Sequence, residues 1–187
     1  MDWIKALRDN PEYTPERCRV HPITKEIIAR ADVLLTGEIV DLGCGPGIRT
    51  RILTEHLQPG ARIVGLDQDA GVIEIAGNWG YVEIVDFFWQ DITHTTWPTD
   101  EFDNALLTAV IEHVPDTAKL LAEIRRIVKP GGHLFLSVTD RDYHSDPDHC
   151  HVFGIGDIAT ALGAVFDGAH VWSHDHIIFA LATVGEK

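Results

Sequence analysis

A mostly parallel seven-stranded sheet, with one reversed strand and helices on both faces, is the fold this sequence predicts. Two observations carry that prediction. From residue 38 onward, short apolar runs alternate with helical stretches, the pattern of parallel crossover units. The last two runs, "AHVWSH" and "IIFALATV", are separated by only two or three residues. A connection so short is a hairpin, so one of these strands must run antiparallel.

Each element follows from its own residues. The first 21 positions are mixed, and Pro11 and Pro15 in "NPEYTPE" are expected to break any helix there. "HPITKEIIARADVLLTG" reads as one helix: Pro22 suits its first turn, Ile23, Ile27, Ile28, Ala31, Leu34 and Leu35 form a stripe, and Gly37 stops it. "EIVDL" is then a strand, "IRTRILTEHL" a helix, "ARIVGLD" a strand and "AGVIEIAGN" a poor, glycine-interrupted helix. "VEIVDFFWQD" and "FDNALLTAV" read as strands. "DTAKLLAEIRRIVKPGG" is a helix with Leu120, Leu121, Ile124, Ile127 and Val128 on one face. "HLFLSVT" is a strand, followed by a polar loop and a short helix near residues 155–163.

At 187 residues, a single domain spanning 1–187 is expected, with 38–187 as its core and 1–37 as a helical segment covering the pocket. Hydrophobic residues at 45% and charged residues at 24% describe an ordinary globule, so no cofactor or disulfide is needed simply to fold. No apolar stretch approaches the roughly 20 residues of a membrane span, and "MDWIKALRDN" is too polar for a signal peptide. Cys18, Cys44 and Cys150 are too few and too scattered for a disulfide framework or a metal knuckle, which points to the reducing cytoplasm. Charge is uneven. Residues 1–62 are neutral, so the net −14 lies entirely in the remainder. Such a surface repels phosphate backbones and anionic membranes, so nucleic acid is not the expected partner.

"EIVDLGCGPGIRT" carries the chemistry. A strand ends at Asp41-Leu42, and Gly43, Gly45 and Gly47 follow before a helix begins. Glycines there allow a tight turn and let a ligand rest on bare backbone. Position 48 is Ile, so the third glycine of a dinucleotide fingerprint is missing, and no Gly-Lys-Ser/Thr follows to make a phosphate loop. Asp67 closes the second strand, where a carboxylate can accept both hydroxyls of a ribose. Asp91 closes the third, placed to meet an exocyclic amine, with Leu66 and Ile92 able to sandwich a ring. Three acids around a bare turn, with no basic residue, fit a ligand with a ribose, an amine and a positive centre but no phosphate.

These motifs resemble the class I S-adenosylmethionine-dependent methyltransferases over about Ile39 to Thr139. "IVDLGCGPG", "IVGLDQD", "FFWQDIT", "FDNALLTAVIEHVPD" and "VKPGGHLFLSV" occur in the order of that family's motifs. The resemblance implies a Rossmann-like fold and S-adenosylmethionine as cofactor, leaving S-adenosylhomocysteine. It implies that Asp41 and the Gly43-Cys44-Gly45-Gly47 turn hold the methionine part, beside the backbone of Thr108 and Ala109. Asp67 would hold the ribose, with Gln68, Asp91 and Ile92 framing the adenine. "VIEHVPD" is most similar to small-molecule enzymes such as those of quinone biosynthesis. The Asn/Asp-Pro-Pro-Tyr element of DNA and protein-glutamine methyltransferases is absent.

Histidines are the remaining signal, eleven in all. His113 follows the fourth strand, beside the cofactor's methyl end, and His144, His149 and His151 lie in the loop after the fifth. His113, His149 and His151 are the candidate catalytic residues. Glu112, His113, His149 and His151 could converge on a metal. Small-RNA 2′-O-methyltransferases of the Hen1 type use such a set, with a Glu-x-x-Glu-His core. Here the first glutamate position is Ala109, so no metal is expected and RNA is the lesser alternative. His170, His174 and His176 read as exposed edge positions, and Asp86 and Asp103 as solvated strand-end charges. Trp3, Tyr13 and Phe153 are too scattered to shape an acceptor pocket. A non-catalytic S-adenosylmethionine-binding regulator, or an enzyme using the sulfonium otherwise, stays open beside methyl transfer to a small molecule.

Overall fold

The computed structural model describes residues 14–78, 84–143 and 147–186. Trp3, Tyr13, His144 and the first two residues of the expected third strand lie outside them. Seven strands are present among the described residues: β1 (Glu38–Leu42), β2 (Arg62–Asp67), β3 (Val85–Trp89), β4 (Phe102–Thr108), β5 (Val128–Thr139), β6 (Gly168–His174) and β7 (Ile177–Thr183). They pair in the order β3-β2-β1-β4-β5-β7-β6. β1 to β5 run parallel, and β7 is antiparallel to both of its neighbours. This is the expected mostly parallel sheet with one reversed strand. The chain leaves β3 at one edge and resumes at β4 on the other side of β1. Strand order therefore reverses beside β1, and a crevice opens outside the carboxyl ends of β1 and β4.

The core explains why the strands are continuously apolar rather than alternating. Ile39, Ile63, Leu106, Phe135 and Phe179 share one face of the sheet, packed with Ile23, Ile27, Leu34, Leu35 and Leu53. Val40, Leu42, Ala105, Leu107, Leu134 and Leu136 point the other way, against Leu120, Leu121, Ile124, Ile127, Ile158 and Leu162. Both faces are covered, as a parallel sheet requires.

Among the described residues, three helices precede β1: α1 (Pro15–Val20), α2 (Pro22–Ile28) and α3 (Ala31–Leu34). Two expectations are corrected here. Pro15 does not break a helix but starts one, because its missing N–H falls in the first turn, where Thr14 accepts the Arg17 N–H at 3.3 Å. The helix expected from Pro22 to Gly37 is two. The Arg30 N–H bonds Ile27 in a 3₁₀ step, and the Arg30 side chain turns back onto Glu26 and lies over the Trp172 ring at 4.4 Å. Bending there keeps both Ile23–Ile27 and Leu34–Leu35 on the sheet. Asp103 is likewise more than a solvated charge. It accepts the Glu38 N–H and pairs with Lys129, each at 2.8 Å, closing the space beneath Gly37.

The remaining helices are α4 (Ile48–Thr54), α5 (Ala70–Gly77), α6 (Thr117–Ile127) and α7 (Ile155–Gly163). α6 is shorter than expected, because Val128 already pairs with Phe102 as the first residue of β5. Its inner face holds Glu123, which takes Arg126 at 2.7 Å and both the N–H and hydroxyl of Thr95. Burial alone would raise this carboxyl, but the guanidinium and the Thr95 donors outweigh it and pull it down to about 2. A depressed carboxyl stabilises the fold above its unfolded value and loses that contribution as pH falls through the folded one. Glu123→Gln is therefore expected to lose about 2–3 kcal/mol at pH 7. In urea titrations, the difference from wild type should shrink between about pH 5 and pH 2.

Candidate active site

The glycine turn joins β1 to α4 above the crevice. The N–H groups of Gly43 and Cys44 both reach the Leu66 carbonyl, at 2.7 and 3.0 Å, so the turn is pinned across β2. Gly43, Gly45 and Gly47 all have left-handed backbone, but they are bare for different reasons. A Cβ on Gly43 would meet Val110 at 2.4 Å, and one on Gly47 would meet the Phe87 ring at 2.7 Å. A Cβ on Gly45 would meet nothing within 4 Å. Packing explains the first and third glycines. Of the three, only Gly45 turns its empty side to open space, and Gly45 lines a cavity of about 790 Å³ along the carboxyl edge.

Asp67 shapes this corner. One carboxylate oxygen accepts the Gly45 N–H and the other the Asp69 N–H, both at 2.9 Å. Burial pushes the Asp67 carboxyl up, and these two N–H groups hold it back. Of the residues expected to hold the cofactor, Gly43, Gly45, Asp67, Gln68, Ile92 and Ala109 line this cavity. Asp41, Cys44, Gly47, Asp91 and Thr108 are not among the residues that line it. Asp41 is buried and accepts the Thr50 hydroxyl at 2.6 Å, with burial raising its carboxyl. The Cys44 thiol packs beside Gly65, and burial pushes it well up. Asp91 is exposed, and the Thr93 N–H and hydroxyl, each at 2.8 Å, hold its carboxyl down. Thr108 accepts from Arg49 Nη1 at 2.8 Å.

Arg49 corrects the reading that no basic residue stands near the turn. It lies two residues beyond Gly47 on α4, reaches Thr24 as well as Thr108, and faces the cavity. At the end of β4, Ala109 has φ 55°, a left-handed conformation that costs a non-glycine residue about 1–2 kcal/mol. Strain of this kind gathers at functional sites.

Residues 40–136 match the methyltransferase domain family. The chain belongs to the methyltransferase domain family. It is 29% identical over 126 residues to a ubiquinone biosynthesis O-methyltransferase of Coxiella burnetii, covering 66% of this chain and 53% of that one. With a trans-aconitate 2-methyltransferase of an Azoarcus species it shares 32% identity over 139 residues, covering 74% and 51%. The chain thus spans about half the length of the curated relatives it matches. The protein solved in complex with the Trm112 methyltransferase activator of Haloferax volcanii has the same fold, with a TM-score of 0.77 at 18% identity, covering 100% of this chain and 99% of that one.

Beyond Ala109 the methyltransferase domain places a second group of side chains. A 3₁₀ turn, Ile111–His113, follows β4, and residues 147–151 of the loop after β5 are sewn to it. Cys150 and His151 donate backbone N–H groups to the Glu112 carbonyl at 2.8 and 3.2 Å. The His113 ring nitrogen Nδ1 meets the Asp148 carbonyl at 3.3 Å, and His113 and His149 rings meet edge to face at 4.6 Å. One donor atom each from Glu112, His113 and His149 lies within 4.8 Å of the others, a set able to take a proton or a divalent cation. His151 does not join them. Its Nε2 meets the Pro115 carbonyl at 3.1 Å, so it anchors the loop instead.

Cys18 and His21 also line the cavity, as do Asp175 and His176 of the β6–β7 turn. His170, His174 and His176 are exposed, as expected, but an edge position is not the whole account of His176. Nor is it of His174, which bonds Glu26 of α2 at 2.8 Å and stacks on Phe179. His170 stacks on Trp172.

Proposed function

We propose that this chain binds S-adenosylmethionine along the carboxyl edge of the sheet and transfers its methyl group to a small molecule. The observation that carries the reading is Gly45, whose side-chain space is open cavity while Asp67 holds its N–H. The donor set fits the cofactor. Asp67 offers carboxylate oxygens to a ribose, Gln68 and Ile92 stand where an adenine would lie, and the Arg49 guanidinium suits the carboxylate of an amino acid. Bound there, S-adenosylmethionine would supply a sulfonium methyl open to in-line displacement. The chain's own share is to position the acceptor, worth up to about 7–11 kcal/mol in well-oriented systems, and to receive its proton. His113 and His149 stand ready for the second task, with Glu112 able to stabilise the imidazolium. α1 and α2 support a covering role for the N-terminal segment, since Cys18, His21 and Ile23 face the cavity.

Incubation with methyl-labelled S-adenosylmethionine and a metabolite extract tests the reading. A labelled product and S-adenosylhomocysteine are expected by mass spectrometry. Binding without turnover would make the chain a cofactor-binding regulator. The same assay in EDTA is expected to give unchanged turnover, because Ala109 removes one ligand of the Glu-x-x-Glu-His core. Loss of activity restored by manganese or zinc would assign Glu112, His113 and His149 to a metal instead.

A further inference from the structure

We propose that a proton on His174 sets the outer rim of the cavity, pinning the β6–β7 turn while it is bound and releasing the turn when it leaves. This goes beyond the methyl-transfer reading and holds whatever ligand the cavity takes. His174 ends β6, and Asp175 and His176, which turn the chain into β7, both line the cavity. The two ring nitrogens of His174 face two different carboxylates. Nε2 meets Glu26 of α2 at 2.8 Å, and Nδ1 meets Asp175 at 3.2 Å. An ionised carboxylate only accepts, and a neutral imidazole carries a single N–H. Only the imidazolium satisfies both contacts.

The surroundings decide which contact survives loss of the proton. Glu26 is also held by Arg30, whose guanidinium lies over the Trp172 ring, and its side chain is 19% exposed against 70% for Asp175. The Nε2 contact is thus the shorter and the better shielded. A neutral ring keeps its N–H there and turns a lone pair on Asp175. Two acceptors then face each other, and the Asp175 carboxylate has water to turn to instead. Asp175 and His176 stand in left-handed backbone, φ 51° and 61°, so the turn loses a pin where its conformation is least favourable. The His176 carbonyl still accepts the Asp140 N–H at 3.0 Å, which confines the release to the tip of the turn.

Other groups complete the setting. β7 stacks the uncharged Phe179 ring on His174 at 4.7 Å, His170 stacks on Trp172, and Asp140 beyond β5 accepts the Asp142 N–H. The Glu26 bond raises the His174 imidazole above its ordinary value, partial burial opposes the rise, and the Asp175 bond adds to it. A raised imidazole keeps the pinned turn fully below its unfolded value and loses it as pH rises through the folded one. By linkage, any ligand that seats against the pinned rim must strengthen the hold on that proton.

NMR across a pH series reads both ends of the coupling. The His174 ring is expected to titrate above about 6.5, the usual imidazole value. Backbone order parameters of Asp175 and His176 should fall with that titration, from about 0.85 towards about 0.6. Asp175→Asn separates the switch from simple fraying. A carboxamide can offer an N–H to a bare Nδ1 or an oxygen to a protonated one, and Asn tolerates left-handed backbone. The variant should keep its thermal midpoint and hold the turn equally ordered at every pH. Glu26→Gln should bring the titration down towards the ordinary value. A ring that titrates at or below about 6.5, a turn whose order ignores that titration, or Asp175→Asn following pH as the wild type does would overturn the proposal. So would a titration that Glu26→Gln leaves in place.

Discussion

Gly45→Val is expected to weaken S-adenosylmethionine binding by more than about a hundredfold, since it fills the surface on which a ligand would rest. Fold stability should fall by only about 1–2 kcal/mol, the cost of a side chain in left-handed backbone. The two effects separate because, among the described residues beyond its chain neighbours, nothing lies within 4 Å of the added Cβ. Gly43→Ala and Gly47→Ala provide the contrast. Their added carbons run into Val110 and Phe87, so these variants should lower the unfolding midpoint first. Asp67→Ala should resemble Gly45→Val in calorimetry, because it removes the proposed ribose partner and frees the Gly45 and Asp69 N–H groups together. Retained affinity for S-adenosylmethionine in Gly45→Val would move the cofactor off this turn. Comparable affinity for NAD with none for S-adenosylmethionine would end the reading.

His113→Ala and His149→Ala are each expected to reduce turnover by about 10²–10⁴-fold, the usual worth of a positioned acid or base. Cofactor affinity should stay within a fewfold, since neither residue touches the β1–β2 end of the cavity. His151→Ala tests a different role. His151 acts through its bond to the Pro115 carbonyl, so its removal should loosen the loop that carries His149. A smaller fall in turnover, with a raised acceptor KM, is the expected signature. Unchanged turnover in His113→Ala and His149→Ala would place the acceptor chemistry elsewhere, most plainly on His21 and the N-terminal helices.

The sheet was legible because its signal is local. Each strand is a short apolar run buried on both faces, and the two-residue gap before Ile177 forces the reversal at the end. The errors lay where one residue supports two readings. Pro15 breaks a helix from within and starts one from its first turn, and only the Thr14 cap decides between them. The bend at Arg30 depends on Glu26 and Trp172, and the latter is 142 positions distant in the chain. At the site, Asp67, Ile92, Ala109 and His113 could be placed because each ends a strand or follows one. Arg49, two residues past the turn, was legible and overlooked, whereas His21, Asp175 and His176 could not be placed, since tertiary packing alone brings them to the cavity. The left-handed backbone of Ala109 has no sequence signature at all.

The bond between Glu26 and His174 spans 148 positions, and it bears on when the cavity comes into being. During synthesis α2 emerges early, yet Glu26 in it and Arg30 just beyond it are moored on His174 and Trp172 of the last hairpin. That hairpin is itself threaded out of order: β6 is made before β7 but can join the sheet only through it. The parallel half around β1, β2 and β4 can therefore settle while the wall carrying His21 and Ile23 still waits for a partner. Pairings so distant close slowly, because loop entropy must be overcome before any contact rewards it. On this order of assembly, a nascent chain exposes its glycine turn well before it owns an enclosed pocket. Ligand capture then becomes a late event in the life of the polypeptide, timed by the arrival of β7.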